Sequence, residues 1–342
     1  MKQTVSLEEI YAPVRERIAR IPEAIFSVLS TPNELAQETI RHFFSRSGKY
    51  LRPALTFFGA SLETQQTLSS AAEEKLLSLA AAFEIFHSAT LIHDDIIDSA
   101  YLRRGIPTIN AQWNSQVAVL VGDYLHDKAI GAIFSAENSR VTSLFLQTAG
   151  TVCDGEIHEL REKNNFNLKE GEYFEIIGKK TAALIACCIE AGGIFAGLPP
   201  GKTVSLKHFG WTFGQAFQIV DDCLDFTGEE HEFGKTLGAD YEAGVLTLPL
   251  IRLIELVDER TKGEVFKIFK RGSAALEDVS DFKSERFGTL KTLLLEHGTL
   301  DYAMSRARQF TDEARLELSV FPDSAAKAGL ERLLDYVLER NR

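Results

Sequence analysis

Two short acidic clusters are the residues of this sequence best suited to chemistry. They share the pattern Asp-Asp-x-x-Asp and comprise Asp94, Asp95, Asp98, Asp221, Asp222 and Asp225. On a helix, the first and last aspartates of each cluster lie one turn apart on the same face. Apolar residues flank both clusters, so the carboxylates border a core, where an unpaired charge is costly. A cation must therefore compensate for them.

Magnesium is the cation that this donor set favours. Carboxylate oxygens without neighbouring Cys or His ligands select Mg²⁺ or Mn²⁺ rather than Zn²⁺. Mg²⁺ usually takes one or two protein carboxylates and completes its shell with substrate phosphate. Two clusters on facing helices therefore predict a multi-metal diphosphate site. The alternative is a pair of acidic helix ends exposed to solvent, although chance gives two such motifs in only roughly a few per thousand chains of this length.

A site for a polyanion also needs fixed positive charge, and basic residues accompany both clusters. They are Lys49, Arg52, Arg103, Arg104, Lys180 and Lys235. Taken singly, each of them is typical of a solvated surface cation. His87 lies at helical spacing between Glu84 and Asp94, on a polar stripe of an otherwise apolar segment. For this histidine a ligand role and a satisfied core position are both open.

Long segments with apolar residues at every third or fourth position must carry these side chains, as between Leu76 and Phe83. No stretch alternates with period two, and no Asn-Gly or Asp-Gly turn joins two apolar runs. We therefore predict an all-α protein of roughly ten or more helices, forming a single domain over residues 1–342. Two loops stand out, Ser99 to Asn110 and the Gly-rich Thr227 to Gly244, and the second is a candidate mobile lid.

The composition is that of an acidic globular protein. Its 342 residues include 37 Lys+Arg and 49 Asp+Glu, for a net charge of −12. This balance argues against nucleic-acid binding, which needs a basic face. The four cysteines lack metal-ligand spacing and are typical of thiols in a reducing compartment. The first residues lack a signal-peptide core, and the apolar stretch Ala182 to Leu198 is too short to span a bilayer comfortably. We expect no transmembrane segment and a cytoplasmic location.

In order and spacing, these motifs resemble those of the polyprenyl synthetase family, the all-trans isoprenyl diphosphate synthases. The resemblance covers about residues 40 to 250. It rests on the two acidic clusters and on Gly48-Lys49-x-x-Arg52-Pro53, Glu84-x-x-His87, Arg103-Arg104-Gly105, Lys180-Thr181, Gln218-x-x-Asp221 and Gly234-Lys235. It implies a helical bundle around a deep hydrophobic cavity, three Mg²⁺ ions and a homodimer. The implied reaction joins isopentenyl diphosphate to an allylic diphosphate by ionisation, condensation and elimination.

The resemblance also implies a role for each matching residue. The metal-binding set is Asp94, Asp95, Asp98, Asp221 and Asp225, with Asp222 and Asp225 acting partly through water. The set that contacts the allylic diphosphate is Arg103, Lys180 and Lys235. The set that holds isopentenyl diphosphate is Lys49, Arg52, His87 and Arg104. Thr181 and Gln218 would lie beside the developing carbocation, completing the catalytic set.

Two positions depart from the family pattern. Val245 stands where the family often has Lys, and Glu159 stands where it has Gln. These changes predict altered substrate affinity rather than a different reaction. Two other functions remain as alternatives: a terpene cyclase, which needs no second substrate, and a non-catalytic partner subunit of a synthase. A cyclase would have no use for the isopentenyl diphosphate set, and a partner subunit could lose the acids that this chain keeps.

Product length is predicted from the helix that carries Asp94. At about 1.5 Å per residue, Ala89 lies roughly 7.5 Å deeper than Asp94, and Phe86 roughly 12 Å deeper. Short-product members of the family resemble one another in having an aromatic residue at the position of Ala89, and Thr90 beside it is also modest in size. We therefore predict a long-chain polyprenyl product, with Phe86 turned aside against a neighbouring helix. A product of intermediate length, such as geranylgeranyl diphosphate, is the alternative if Phe86 closes the cavity.

Overall fold

Helices make up nearly all the regular structure in the computed structural model, which describes residues 6–46, 48–63, 68–227, 238–272 and 280–340. The described helices are α1 (Leu7–Ile10), α2 (Arg15–Ala19), α3 (Ile21–Val28), α4 (Glu34–Phe43), α5 (Leu51–Ser61), α6 (Ser70–Ile97), α7 (Ile109–Gln112), α8 (Ser115–Ser135), α9 (Ser139–Glu162), α10 (Glu170–Ile177), α11 (Ala183–Phe195), α12 (Pro200–Thr227), α13 (Ala239–Glu242), α14 (Leu248–Leu256), α15 (Glu259–Gly272), α16 (Ser280–Glu296), α17 (Thr299–Glu317) and α18 (Ala325–Glu339). A π-helical turn, Gly178–Ala182, joins α10 to α11. The predicted all-α fold is confirmed.

One small hairpin interrupts the helical pattern, in the segment predicted as the loop Ser99 to Asn110. Strands β1 (Leu102–Arg103) and β2 (Ile106–Pro107) pair antiparallel. The two residues between them have positive φ angles, 51° at Arg104 and 77° at Gly105. Two left-handed residues in succession match the right-handed twist of a tight hairpin. The turn residues are Arg-Gly rather than the Asn-Gly or Asp-Gly typical of such turns, so the hairpin was not predicted.

The chain forms two compact units. The first contains Met1–Ala149, Leu184–Gly210 and Arg315–Leu334, and the second contains Gly150–Ala183, Trp211–Ala314 and Asp335–Arg342. The first acidic cluster therefore belongs to the first unit, and the second cluster to the second unit. That the whole chain acts as a single domain remains a prediction.

The first unit is built around α6, a helix of 28 residues. The Ser69 hydroxyl caps it by accepting from the backbone N–H of Ala72. Its most apolar 18 residues have a mean hydropathy of 1.4, enough by length and composition to cross a membrane, but 72% of that segment is buried. A buried, apolar helix of this kind is typical of a protein core.

Helices α5 and α11 approach each other closely within the first unit. A Cβ atom at Gly59 would collide with the Ile189 carbonyl oxygen, and one at Gly192 with the Thr56 carbonyl oxygen. Glycine at both positions therefore lets the two backbones come together. This contact holds α5 against α11 at Thr56 and Gly59, one to two turns after Arg52.

The second unit has its own hydrophobic core, formed by buried side chains of α10, α12, α14 and the helices that follow. Phe226 at the end of α12 is fully buried and stacks on Phe287, with ring centroids 6.0 Å apart. Tyr173 of α10 also lies in this core, and its hydroxyl group donates to the Asp222 carboxylate. This core packs α10 against α12, the helix that carries the second acidic cluster.

Candidate active site

The first acidic cluster lies at the C-terminal end of α6, and its three aspartates differ in exposure. Asp94 is half-buried, Asp95 is buried, and Asp98, the residue that caps the helix, is exposed. The backbone N–H of Asp98 donates to the Asp94 carbonyl at 2.8 Å, so the helical turn continues through the cluster. Asp94 and Asp98 therefore lie one turn apart, as the spacing predicted.

Asp95 is held by Arg103 from the hairpin. The Arg103 guanidinium donates to both carboxylate oxygens, with Nε 2.9 Å from each and one terminal nitrogen 2.7 Å from Oδ1. A bidentate pair between a guanidinium and a carboxylate is strong and geometrically specific. Arg103 and Asp95 were predicted to serve diphosphate and metal separately, and the structure brings the two side chains together.

A second basic group surrounds Glu84 and His87 in the first unit. Burial raises the pKa of the Glu84 carboxyl, and the charges of Arg52 and Arg104 oppose that rise. Burial lowers the pKa of His87 well below its usual value, and Arg52, Arg103 and Arg104 lower it further. The imidazole is therefore neutral at pH 7. Three guanidinium groups thus lie close to one uncharged histidine.

The start of α5 completes this basic group. A Cβ at Gly48 would lie 3.2 Å from the Arg104 guanidinium and 3.5 Å from a Glu84 carboxylate oxygen, so these side chains meet beside the chain that leads into α5. Lys49 follows and is exposed, and Arg52 is half-buried one turn inside the helix. The residues predicted to hold isopentenyl diphosphate, Lys49, Arg52, His87 and Arg104, all belong to the first unit, and their shared role remains a prediction.

The second cluster lies in the last two turns of α12, and its middle residue is buried. Asp222 accepts from the Tyr173 hydroxyl at 2.6 Å and from the Gln218 side-chain amide at 2.8 Å. Burial raises the pKa of Asp222 well above its usual value, and the nearby charge of Asp240 adds to the rise. Both donors are neutral, so nothing in this pair of contacts cancels the charge of the carboxylate.

Asp221 and Asp225, the outer residues of this cluster, are half-buried and make different contacts. Asp225 accepts from the backbone N–H groups of Gly238 and Asp240, at 3.1 and 3.3 Å. Asp221 forms an ion pair with Arg340, with 2.7 Å between nitrogen and oxygen.

Arg340 is a site residue that the sequence analysis missed. Its side chain is only 5% exposed, its guanidinium carbon lies 3.9 Å from the centroid of the Phe217 ring, and it donates to the Phe217 carbonyl at 2.7 Å. It follows α18, more than a hundred residues after the cluster. No local pattern in the sequence could have pointed to it.

Lys180 and Thr181 are presented by the π-helical turn that follows α10. Such turns are rare and occur frequently at functional sites. The Lys180 ammonium lies 2.7 Å from Glu156 and 2.5 Å from Glu159, both on α9. The Thr181 hydroxyl donates to the Gln218 side-chain oxygen at 2.8 Å. The predicted pair of Thr181 and Gln218 is thus in direct contact.

Lys235 and most of the candidate lid, Thr227 to Gly244, lie outside the described residues. Within the part of the chain that is described, no group of three His, Cys, Asp or Glu side chains could hold a metal ion by itself. The oxygen donors still fit Mg²⁺, which needs only one or two carboxylates when phosphate and water complete its shell. Asp94 with Asp98, and Asp221 with Asp225, offer such pairs one helical turn apart.

The residues predicted to set product length lie on the buried side of α6. Ala89 is 2% exposed and Thr90 is half-buried. The Phe86 ring packs edge-on against Phe145 of α9, with centroids 5.1 Å apart, and against His126 of α8 at 5.4 Å. Phe86 therefore leans on two neighbouring helices.

With the geometry established, comparison with known proteins identifies the family. The family model described as polyprenyl synthetase matches residues 33–285. The chain belongs to this family. It is 32% identical to an all-trans-nonaprenyl-diphosphate synthase (geranyl-diphosphate specific) from Rhodobacter capsulatus, over 97% of this chain and 98% of that one. It is 31% identical to a geranylgeranyl diphosphate synthase from Saccharolobus solfataricus, over 98% and 97% of the two chains.

Solved structures of this polyprenyl synthetase family share the fold along the whole chain. A polyprenyl synthase from Caulobacter crescentus aligns with a TM-score of 0.91 at 28% identity and covers 100% of both chains. A decaprenyl diphosphate synthase from Rhodobacter capsulatus aligns at 0.87, with 32% identity, over 98% and 100%. The predicted family, fold and enzyme class, a trans-prenyltransferase, are confirmed. The names of the relatives span several product lengths, so the length made by this chain stays a prediction.

Proposed function

We propose that this polyprenyl synthetase lengthens an allylic diphosphate by adding isopentenyl diphosphate in a magnesium-dependent reaction. The observation that carries the proposal is that Arg52 and Arg104 act on both Glu84 and the neutral His87, with the Arg104 guanidinium beside Gly48. A diphosphate needs several fixed positive charges, and bidentate guanidinium groups suit its geometry. A cyclase, with one diphosphate substrate, would not require this group in addition to its metal-binding carboxylates.

The residues divide between the two substrates. Lys49, Arg52, His87 and Arg104 hold isopentenyl diphosphate, with the His87 ring donating or accepting a hydrogen bond as a neutral group. Arg103, Lys180 and Lys235 contact the allylic diphosphate. Asp94, Asp98, Asp221 and Asp225 supply carboxylate oxygens to its magnesium ions, three in number by family resemblance. Asp95 then orients Arg103, and Asp222 orients Gln218. The predicted direct contact of Asp95 with a metal ion is a second role for that residue.

Magnesium, when bound, neutralises the allylic diphosphate so that it becomes a leaving group. The cationic side chains hold the departing diphosphate oxygens as negative charge develops on them. Thr181 and Gln218 direct their oxygen atoms toward the allylic carbocation, which the double bond of isopentenyl diphosphate attacks. Loss of a proton gives a chain that is one isoprene unit longer. The calcium and isoprenyl diphosphate bound to the Caulobacter polyprenyl synthase support the pairing of a divalent cation with this class of ligand.

The test is an elongation assay on the purified protein. Labelled isopentenyl diphosphate is incubated with dimethylallyl, geranyl, farnesyl or geranylgeranyl diphosphate, with Mg²⁺ or with EDTA, and the products are sized. We expect elongation that depends on Mg²⁺. Turnover of an allylic diphosphate without isopentenyl diphosphate would favour a cyclase. Elongation only after addition of a second chain would favour a partner subunit.

We further propose a long-chain product. Ala89 contributes only a methyl group, and Phe86 is packed against Phe145 and His126, so we infer that neither side chain stops the growing tail. We expect Ala89→Phe to shorten the product, as read from the same sizing assay. If Phe86 itself stops the chain at intermediate length, Phe86→Ala lengthens the product instead. An unchanged product distribution in Ala89→Phe would mean that this face of α6 does not line the tail cavity.

A homodimer in the cytoplasm is our proposal for the working form. Leu120 and Phe134 on α8 are 68% and 56% exposed, and their spacing of fourteen residues puts them on nearly the same side of the helix. Association of two copies of the chain along this side of α8 would remove both side chains from water. A relative with 31% identity is named heptaprenyl diphosphate synthase component 2, so a partner of different sequence is the alternative. Light scattering on the purified chain distinguishes a dimer from a monomer that awaits such a partner.

A further inference from the structure

Lys180 occupies an unusual position for a residue expected to bind an anion. Its ammonium lies 2.7 Å from the Glu156 carboxylate and 2.5 Å from that of Glu159. These two glutamates are one helical turn apart on α9, and their side chains are only 17% and 18% exposed. The single positive charge is therefore shared by two carboxylates that solvent screens weakly.

Two carboxylates and one lysine act on the charge of Glu159. Burial raises the pKa of its carboxyl, the charges of Glu156 and Asp240 add to the rise, and Lys180 opposes it. Removing Lys180 from this place would leave two adjacent carboxylates facing each other with little solvent. The ion pair with Glu159 therefore resists any movement of the ammonium toward a new anionic partner.

We propose that Glu159 is a positioning residue that holds Lys180 back, so that the allylic diphosphate must draw the ammonium out of an existing ion pair. The inference rests on the proposed function, because it assumes that Lys180 serves that diphosphate. An allylic diphosphate gains the Lys180 contact only after a contact of similar strength is lost. Glu159 thereby weakens allylic diphosphate binding, and it also eases the release of the product, which carries the same group.

Replacing Glu159 by Gln tests this inference at constant side-chain size. The Gln carbonyl still accepts a hydrogen bond from Lys180, but a charge-assisted hydrogen bond is roughly twice as strong as a neutral one. We expect Glu159→Gln to lower KM for the allylic substrate by about fivefold, a change on the order of one kcal/mol. KM for isopentenyl diphosphate, whose ligands belong to the other unit, should stay within about twofold.

A neighbouring ion pair supplies the matched control. Lys179, the residue before Lys180, lies 2.6 Å from Glu175, whose side chain is 53% exposed. Glu175→Gln removes the same charge from the adjacent lysine, in a position open to solvent, and should leave both KM values unchanged. Lys180→Gln, alone and combined with Glu159→Gln, then shows whether the effect of Glu159 requires the lysine.

Several outcomes decide the question. A lower allylic KM in Glu159→Gln that disappears in the Lys180→Gln background supports the inference. An unchanged or higher allylic KM overturns it, and so does an effect that persists without Lys180. Binding of inorganic pyrophosphate with Mg²⁺, measured by calorimetry for the same variants, gives a readout that does not need turnover. Failure of the wild-type protein to elongate any primer would instead count against the proposed function.

Discussion

The two units of this protein arrange charge in opposite ways. In the first unit, the buried Glu84 lies among guanidinium groups, including those of Arg52 and Arg104. In the second unit, the ammonium of Lys180 lies among carboxylates, Glu156 and Glu159 above all. The first group attracts an anion without help, whereas the second repels one until its acids are neutralised. We therefore expect the proposed magnesium dependence to arise chiefly from the acidic surroundings of Lys180 in the second unit.

The middle aspartates of the two clusters also differ in the charge of their hydrogen-bond partners. Asp95 is neutralised by a bidentate ion pair with Arg103. Asp222 receives its hydrogen bonds from Tyr173 and Gln218, which carry no charge. The middle aspartate of the first motif is therefore paired with a cation of the protein, whereas the hydrogen bonds to the middle aspartate of the second motif come from neutral groups. The same sequence motif therefore lies in different electrostatic surroundings in the two units.

The largest expected effect is the loss of metal-binding carboxylates. Asp94→Ala and Asp221→Ala should each reduce turnover by at least about a hundredfold, because the charge that develops on the diphosphate would lose part of its stabilisation. Steady-state kinetics over a range of Mg²⁺ concentrations measures the effect. Asp312→Ala, an exposed aspartate on α17, is the control. Near-normal turnover in EDTA would contradict the metal assignment for both clusters.

The next effect separates the two substrates. Arg52→Ala should raise KM for isopentenyl diphosphate by about ten- to a hundredfold, the usual range for losing a charged hydrogen bond, with a smaller change for the allylic substrate. Because the basic group needs no metal, isopentenyl diphosphate should still bind the wild-type protein in EDTA, as measured by calorimetry. Arg41→Ala, an exposed arginine on α4, is the control. Equal effects of Arg52→Ala on the KM values of both substrates would contradict the assignment of isopentenyl diphosphate to the basic residues of the first unit.

A smaller effect on stability is expected at Arg340. Arg340→Ala removes the stacking on Phe217, the hydrogen bond to its carbonyl and the ion pair with Asp221. We expect a loss of about 2 kcal/mol in the free energy of unfolding, measured by chemical denaturation. Arg332→Ala, at an exposed position of α18, should change it by less than about 0.5 kcal/mol. Equal losses in the two variants would mean that Arg340 does not anchor the second cluster.

The smallest effect concerns pH. The folded protein keeps His87 neutral with a lowered pKa, so below the ordinary histidine pKa of about 6.5 the unfolded chain binds more protons. Stability should therefore fall as pH drops below that value, by at most about 1.4 kcal/mol per pH unit from this residue. The raised pKa of Glu84 acts in the opposite direction, so the informative quantity is the difference between wild type and His87→Gln. Parallel pH profiles for the two proteins would mean that folding leaves the pKa of His87 unchanged.

Local features of the site could be predicted from the sequence, and distant partners could not. The spacing of Asp94 and Asp98, or of Gln218 and Asp222, fixes their relation because one helical turn spans three to four residues. Tyr173 contacts Asp222 of the second cluster from 49 residues earlier in the chain. Arg340 contacts Phe217, just before the cluster, from 123 residues later in the chain. Such contacts depend on how distant helices pack, and the spacing of apolar residues along the sequence does not predict them. The hairpin that aims Arg103 was missed for a different reason, since its turn uses arginine where asparagine is common.

The π-helical turn Gly178–Ala182 has a consequence for the contacts on either side of it. Tyr173 and Thr181 are eight residues apart, which in an uninterrupted α-helix would turn them about 80° away from each other. A π turn accommodates one extra residue, so the effective separation is seven, close to two full turns. Both side chains then meet α12, at Asp222 and at Gln218. The extra residue of the π turn therefore offsets the eight-residue spacing. Deleting one residue between Tyr173 and Thr181 would restore a regular α-helix in which the two residues, now seven apart, still lie on the same side.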